Sequence, residues 1–291
     1  MKVMDLGDGG KGRGFFKGYA AKVARHAYWA VAIVIVALLF CPTNYVIEKP
    51  GPTMNVLGPA VLNYGDRKVS FAGEAISGVG KSSFSPSGSL DIVTVNVLGS
   101  PSSTVPAFMA IAGYFERDSR VLPREVVFPI GSSLSQDEAS QEKLMAGAKA
   151  SAKAAAQAFL DSRGLPGSAA AKAKIESGPI GGPSAGLVFA LGLVEKAEGT
   201  NLTGGKDVAG TGTISSSGKV GQVGGVASKM IAAKRDGAAF FLAPEANCAQ
   251  ILSSRIPAGL KVVPVSTLSQ AFLALQDISS GRLSSLPACR A

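Results

Sequence analysis

From residue 26 to residue 47 the chain runs for 22 residues without an Asp, Glu, Lys or Arg. A stretch that lacks charge for so long has no solvated face, so it must lie in a bilayer, in a cleaved leader or in a protein core. The flank before it is basic: Lys2, Lys11, Arg13, Lys17, Lys22 and Arg25 stand against Asp5 and Asp8, a net of +4. A cleavage site wants small residues after the apolar run, and Leu39, Phe40 and Pro42 do not supply them. Tyr28, Trp29 and Tyr45 sit where interfacial aromatics are expected. The pattern predicts a transmembrane helix over 27–47. It would leave a basic segment, 1–26, in the cytoplasm and residues 48–291 outside, at the cell membrane.

That topology changes how the net charge of +9 is read, because +4 of it is an orientation signal. The remaining excess is no nucleic-acid footprint, and no nucleic-acid partner is expected. A single histidine, His26, stands at the membrane boundary, so the exterior part has no imidazole for a Ser-His-Asp triad, a Cys-His dyad or an HExxH zinc site. Cys41, Cys248 and Cys289 form no CxxC pair, and neither metal nor cofactor is expected. Outside the cytoplasm Cys248 and Cys289 can bridge or remain two thiols; sequence leaves both open. The loop Ala75-Ile-Ser-Gly-Val-Gly80-Lys81-Ser82 is one glycine short of a phosphate-binding loop and runs into SFSPSGS, which cannot start a helix. No nucleotide is therefore expected.

The exterior part reads as two regions, 48–165 and 166–280, with a tail at 281–291. Residues 48–65 are punctuated by Pro and Gly and read as extended chain. Apolar-polar alternation predicts strands over 90–98 and 124–130, with a helix over 105–116 between them. The Ala-rich stretch 135–160, opened by a capping-box-like Ser135…Glu138, is the clearest soluble helix. Further on, strands are expected at 174–177, 208–214, 220–223, 239–243 and 261–264. They alternate with helices at 184–195, 226–236, 248–254 and 267–276. The fold class that follows is α+β, with mixed sheets covered by helices.

Two residues point to chemistry. Gly181-Gly182-Pro183-Ser184-Ala185-Gly186 is a glycine bend opening a helix, which places the Ser184 hydroxyl beside free N–H groups that would hold an oxyanion. A plain helix cap explains such a serine equally well. With no histidine, the base for a serine nucleophile must be something else, and a lysine serves if burial keeps it neutral. In VASKMIAAKRDG, Lys229 shares the apolar stripe of Val226, Met230 and Ala233. It is thereby set apart from the solvated lysines. The competing fate is an amine that snorkels to water.

GGPSAG (181–186), GTGTI (210–214) and VGQVGGVASK (220–229), in this order, resemble the proteolytic domain of Lon-type serine peptidases. LTGG, PEANCA, and the upstream KPGPTMNVLG, GSLDIVTVNVLG and REVVFP are more specifically similar to membrane-anchored Lon-like proteases of the YlbL type. The resemblance implies a Ser-Lys dyad, with Ser184 as nucleophile and Lys229 as base, and a supporting hydroxyl at Thr211. Gly182, Pro183 and Ala185 would frame the oxyanion hole. No ATPase module and no PDZ domain are recognisable, so the expected activity is an ATP-independent endopeptidase acting on proteins or peptides. Two other readings are a non-catalytic membrane-tethered binding module and a Ser-Lys amidase acting on cell-wall material.

Overall fold

The computed structural model describes residues 10–80 and 85–290, so Lys81 and Ser82 of the phosphate-loop-like segment lie outside the described residues. A long helix, α1 (Gly10–Leu39), leads into β1 (Tyr45–Asn55), β2 (Pro59–Tyr64), β3 (Arg67–Glu74), the short β4 (Ile76–Ser77) and β5 (Ser89–Leu98). Next come α2 (Ala107–Phe115), β6 (Arg120–Pro123), the single turn α3 (Arg124–Val127), the long α4 (Leu134–Ser162), α5 (Ser168–Lys172) and β7 (Lys174–Ile175). The remainder runs α6 (Gly186–Glu198), β8 (Asp207–Gly210), β9 (Thr213–Ile214), β10 (Val220–Gly221), α7 (Val226–Arg235), β11 (Phe240–Pro244), α8 (Cys248–Leu252), β12 (Lys261–Val265) and α9 (Leu268–Ser279).

Eight strands form one mixed sheet in the order β12-β11-β8-β5-β1-β2-β3, with β6 also paired to β1. From β12 to β5 the strands are parallel; from β5 to β3 they are antiparallel. Residue alternation sends successive side chains to opposite faces. Leu90, Ile92, Val208 and Leu242 join the larger core with α6, whereas Val93, Ala209 and Phe241 meet Val226, Met230 and Ala233 of α7. Helix α6 is buried from Gly186 to Lys196, which is why its sequence is apolar on every side. It packs between the sheet, α4 and α9. The result is the expected mixed architecture of helices and sheets, with α6 and α7 on opposite faces.

Four expectations are corrected. The span over 27–47 is helical only to Leu39: Pro42 follows, and Val46 and Ile47 are committed to β1 in the core. The uncharged part of α1, 27–39, is about 20 Å long, and the helix reaches the ~30 Å hydrocarbon thickness only with Lys22 and Arg25 included. Among the described residues no helix is long and apolar enough to cross a membrane. Residues 124–130 are not a strand, because strand pairing occurs one step earlier, where Val121 and Leu122 oppose Ile47 and Val46. The Arg124 N–H then turns to the Asn44 carbonyl at 2.9 Å and α3 begins. The expected strand 208–214 is two strands in different sheets: the chain leaves the central sheet after Gly210, and β9 pairs only with β10. The cap of α4 is Ser133 rather than Ser135, with Ser133 and Gln136 bonded reciprocally.

The division at 165/166 falls inside one sheet and one core, since β5 pairs with β8 and Met54 and Leu62 share a cluster with Leu187 and Leu275. The tail is fastened as well: Leu286 is buried in that cluster, and Cys289 is disulfide-bonded to Cys248. Cys41 is a free, exposed thiol.

Candidate active site

Ser184 stands in the bend between β7 and α6. Gly182 there has φ +83°, a left-handed conformation that a side chain strains. Its N–H donates to the Gln141 carbonyl of α4 at 3.0 Å, which clamps the bend to that helix. Helix α6 begins at Gly186 with Ala185 as N-cap and no side-chain capping bond. Ser184 is therefore not spending its hydroxyl as a cap, which is the alternative that sequence left open. The Ser184 carbonyl is fixed instead, accepting from the Gly212 N–H at 2.8 Å and from Thr211 Oγ1 at 3.2 Å.

The expected oxyanion donors narrow on this geometry. Gly182 has its N–H committed to Gln141, and Pro183 has none to give. Among the described residues, the N–H groups of Ser184 and Ala185 have no backbone acceptor, and they precede the α6 N-terminus, whose partial positive charge favours an anion. Gly182 and Pro183 thus shape the bend; Ser184 and Ala185 carry the available donors.

Lys229 comes from the opposite face of the sheet. The apolar stripe of α7 is buried as its period predicts, and Lys229 is 3% exposed, so the amine does not snorkel. Its Nζ donates to Thr211 Oγ1 at 3.2 Å. Thr211, itself 0% exposed, follows the last residue of β8 and so lies where the chain leaves the sheet between α6 and α7. One hydroxyl thereby links the amine of α7 to the backbone of the α6 bend. Burial pulls the Lys229 amine down from its ordinary 10.5 to about 8, with the Glu48 charge opposing that pull. In this site an amine near 8 is a usable base at mildly alkaline pH.

A cleft of about 480 Å³ lies beside the bend, between α4 and β9, lined by Leu144, Gly147, Ala148, Pro183, Thr213 and Ile214 among others. It is mainly apolar and borders the bend at Pro183, the residue before Ser184. Thr211 connects the Lys229 amine to the Ser184 carbonyl, and among the described residues no hydrogen bond joins the Ser184 hydroxyl to that amine. Two participants were not singled out by sequence: Gln141, which anchors the bend from α4, and Glu48, which reaches the Lys229 environment from β1. Their partners are far away along the chain and neither carries a local pattern. Among the described residues no cluster of three or more His, Cys, Asp or Glu could hold a metal ion.

Comparison with known proteins bears on the segment that carries these three residues. Residues 173–276 match the family model of the Lon protease (S16) C-terminal proteolytic domain. The Lon protease of Rhizobium meliloti is 35% identical over 94 residues, covering 32% of this chain and 11% of that protein. That of Azospirillum brasilense is 36% identical over 92 residues, covering 31% and 11%. The Lon protease of Chloroflexus aggregans is 34% identical over 94 residues, with 32% and 11% covered. The matched part thus spans about a tenth of the length of these relatives. What this chain is similar to is their proteolytic domain, and that similarity lies in the segment holding Ser184, Thr211 and Lys229.

Proposed function

We propose that the protein is a serine endopeptidase that works without ATP through a Ser184–Lys229 dyad. The observation that carries this reading is the buried amine of Lys229, lowered to about 8 and tied through Thr211 to the Ser184 backbone. An amine held that way has no evident structural purpose, since burying it costs stability. In the reaction, neutral Lys229 takes the Ser184 hydroxyl proton as Oγ attacks the scissile carbonyl. The oxyanion is held by the Ser184 and Ala185 N–H groups. The Lys229 ammonium then gives its proton to the leaving amine, the C–N bond breaks, and an acyl ester remains on Ser184. Water, deprotonated by the same amine, hydrolyses that ester and restores the hydroxyl. The substrate segment lies along the cleft between α4 and β9.

The protein is further proposed to sit at a membrane through the apolar end of α1, with residues 48–291 outside the cytoplasm. Exposed Val31, Ile33, Val34, Ile35, Val36 and Leu38 around that helix support this, as does a disulfide suited to an oxidising compartment. A fluorophosphonate probe should label wild type and spare Ser184→Ala. Lys229→Arg should also resist labelling, because a guanidinium cannot be deprotonated. Labelling of Ser184→Ala at the wild-type rate sinks the nucleophile. Quantitative release of the cellular protein by carbonate washing sinks the anchor.

A further inference from the structure

Strand β1 enters the site from outside the segment similar to Lon proteolytic domains. It reads Val46-Ile47-Glu48-Lys49, and its one carboxylate is turned inward: Glu48 is 6% exposed although Lys49 beside it reaches solvent and pairs with Glu116. A charge buried beside Val46 and Ile47 is costly unless something nearby needs it. Its Oε1 accepts from Ser228 Oγ at 2.6 Å, and Ser228 precedes Lys229 in the first turn of α7. Gly225, the N-cap of α7, has φ +66°, and a Cβ there would stand 3.1 Å from Glu48 Oε2. The carboxylate is thus lodged beneath the positive end of α7.

We propose that Glu48 is a positioning residue for the dyad: its carboxylate grips the first turn of α7 through Ser228 and so fixes where the Lys229 amine stands against Thr211 and Ser184. This rests on the Ser-Lys reading above and adds to it a residue from the N-terminal half. The same charge acts on the amine through space, against the effect of burial. The charged groups around the pair are few. Arg120 of β6 lies 4.0 Å from Glu48 Oε1. Asp91 of β5 and Asp207 of β8 lie toward Asp236 at the other end of α7, beside Lys234 and Arg235. Strand β11 and helix α8 present no charged residue to α7.

The test is the rate of fluorophosphonate labelling of the full-length protein in detergent, measured against pH for wild type, Glu48→Gln, Glu48→Asp and Ser228→Ala, with a melting curve for each. Wild type should rise with pH along an acid limb, because only the free amine activates Ser184. Glu48→Gln removes a negative charge that favours the ammonium, so its limb should move to lower pH by about one unit. Its plateau should fall about tenfold as the amine loses its fixed place. Glu48→Asp should keep the limb near its wild-type position. Ser228→Ala keeps the charge, so its limb should stay while its plateau drops. Folded Glu48→Gln with an unmoved limb and an undiminished plateau overturns the proposal. Should Glu48→Gln not fold, an undiminished plateau in folded Ser228→Ala overturns it instead. A wild-type protein that shows no Ser184-dependent labelling overturns the Ser-Lys reading itself, and this proposal with it.

Discussion

Replacing Lys229 by Met should abolish activity and yet make the protein more stable at neutral pH. In the unfolded chain the amine holds its proton up to 10.5; in the folded protein it gives it up at about 8. Between those values the unfolded state binds more protons, so folding stability rises with pH across that window and is lower by a constant amount below pH 8. The difference corresponds to about 3 kcal/mol carried as a penalty at pH 7. Met has a similar length, no charge and a flexible chain suited to the stripe of Val226, Met230 and Ala233. The substitution forfeits the Nζ bond to Thr211, worth about 1 kcal/mol. A net gain of about 2 kcal/mol is expected at pH 7, vanishing and then reversing as pH approaches 10.5. Urea denaturation of wild type and Lys229→Met at pH 7, 8.5 and 10 measures it directly. A variant less stable than wild type at pH 7, or a difference that does not change with pH, refutes the account of a buried, destabilised amine.

Two further perturbations probe groups outside the dyad. Glu195 on α6 is fully buried. Burial pushes it from 4.5 up to about 8, against the weaker opposing pulls of the Leu202 N–H and the Lys196 ammonium. Here the folded state holds the extra proton, so this group's contribution is full below about pH 4.5 and is lost as pH rises toward 8. Glu195→Met should therefore stabilise by up to about 3 kcal/mol at pH 7 and by little at pH 4.5; equal gains at both values would rule out a buried neutral carboxyl. Cys248 and Cys289 close a loop of 41 residues, for which chain entropy gives about 4 kcal/mol. Reductant should lower the urea midpoint of wild type, and leave a Cys248→Ser/Cys289→Ser variant unmoved. A wild-type midpoint that ignores reductant argues against the bridge.

The sequence was most informative where a residue's reason is local. The alternation of 90–98 and the stripe of α7 are periods that any short window displays, and both elements form within a residue or two of expectation. It failed where long-range pairing decides. Residues 208–214 read as one strand rich in Val, Thr and Ile, but the chain must leave the sheet after Gly210 to bring Thr211 over Ser184, so the strand breaks. Residues 124–130 have strand composition, yet β1 has already found its partner in Val121 and Leu122. The uncharged stretch 26–47 is one apolar block in composition and two environments in space: Val46 and Ile47 are buried in the sheet, whereas residues 31–38 are exposed on α1.

The same distinction separates the parts of the site. Lys229 could be singled out because an amine on an apolar stripe is anomalous in a window of a dozen residues. Glu48 is equally anomalous where it stands, but its explanation lies 180 residues away, on Ser228. A charge in a strand next to Lys49 reads as surface until that partner is known. Gln141 gives no local signal either, because it holds the Gly182 bend with its backbone carbonyl, which every residue possesses. The proposed reacting groups are specified by residue type, and so they can be read from sequence. Their placement is specified by which elements meet: β1 beneath α7, α4 against the bend, and β8 ending between the two helices.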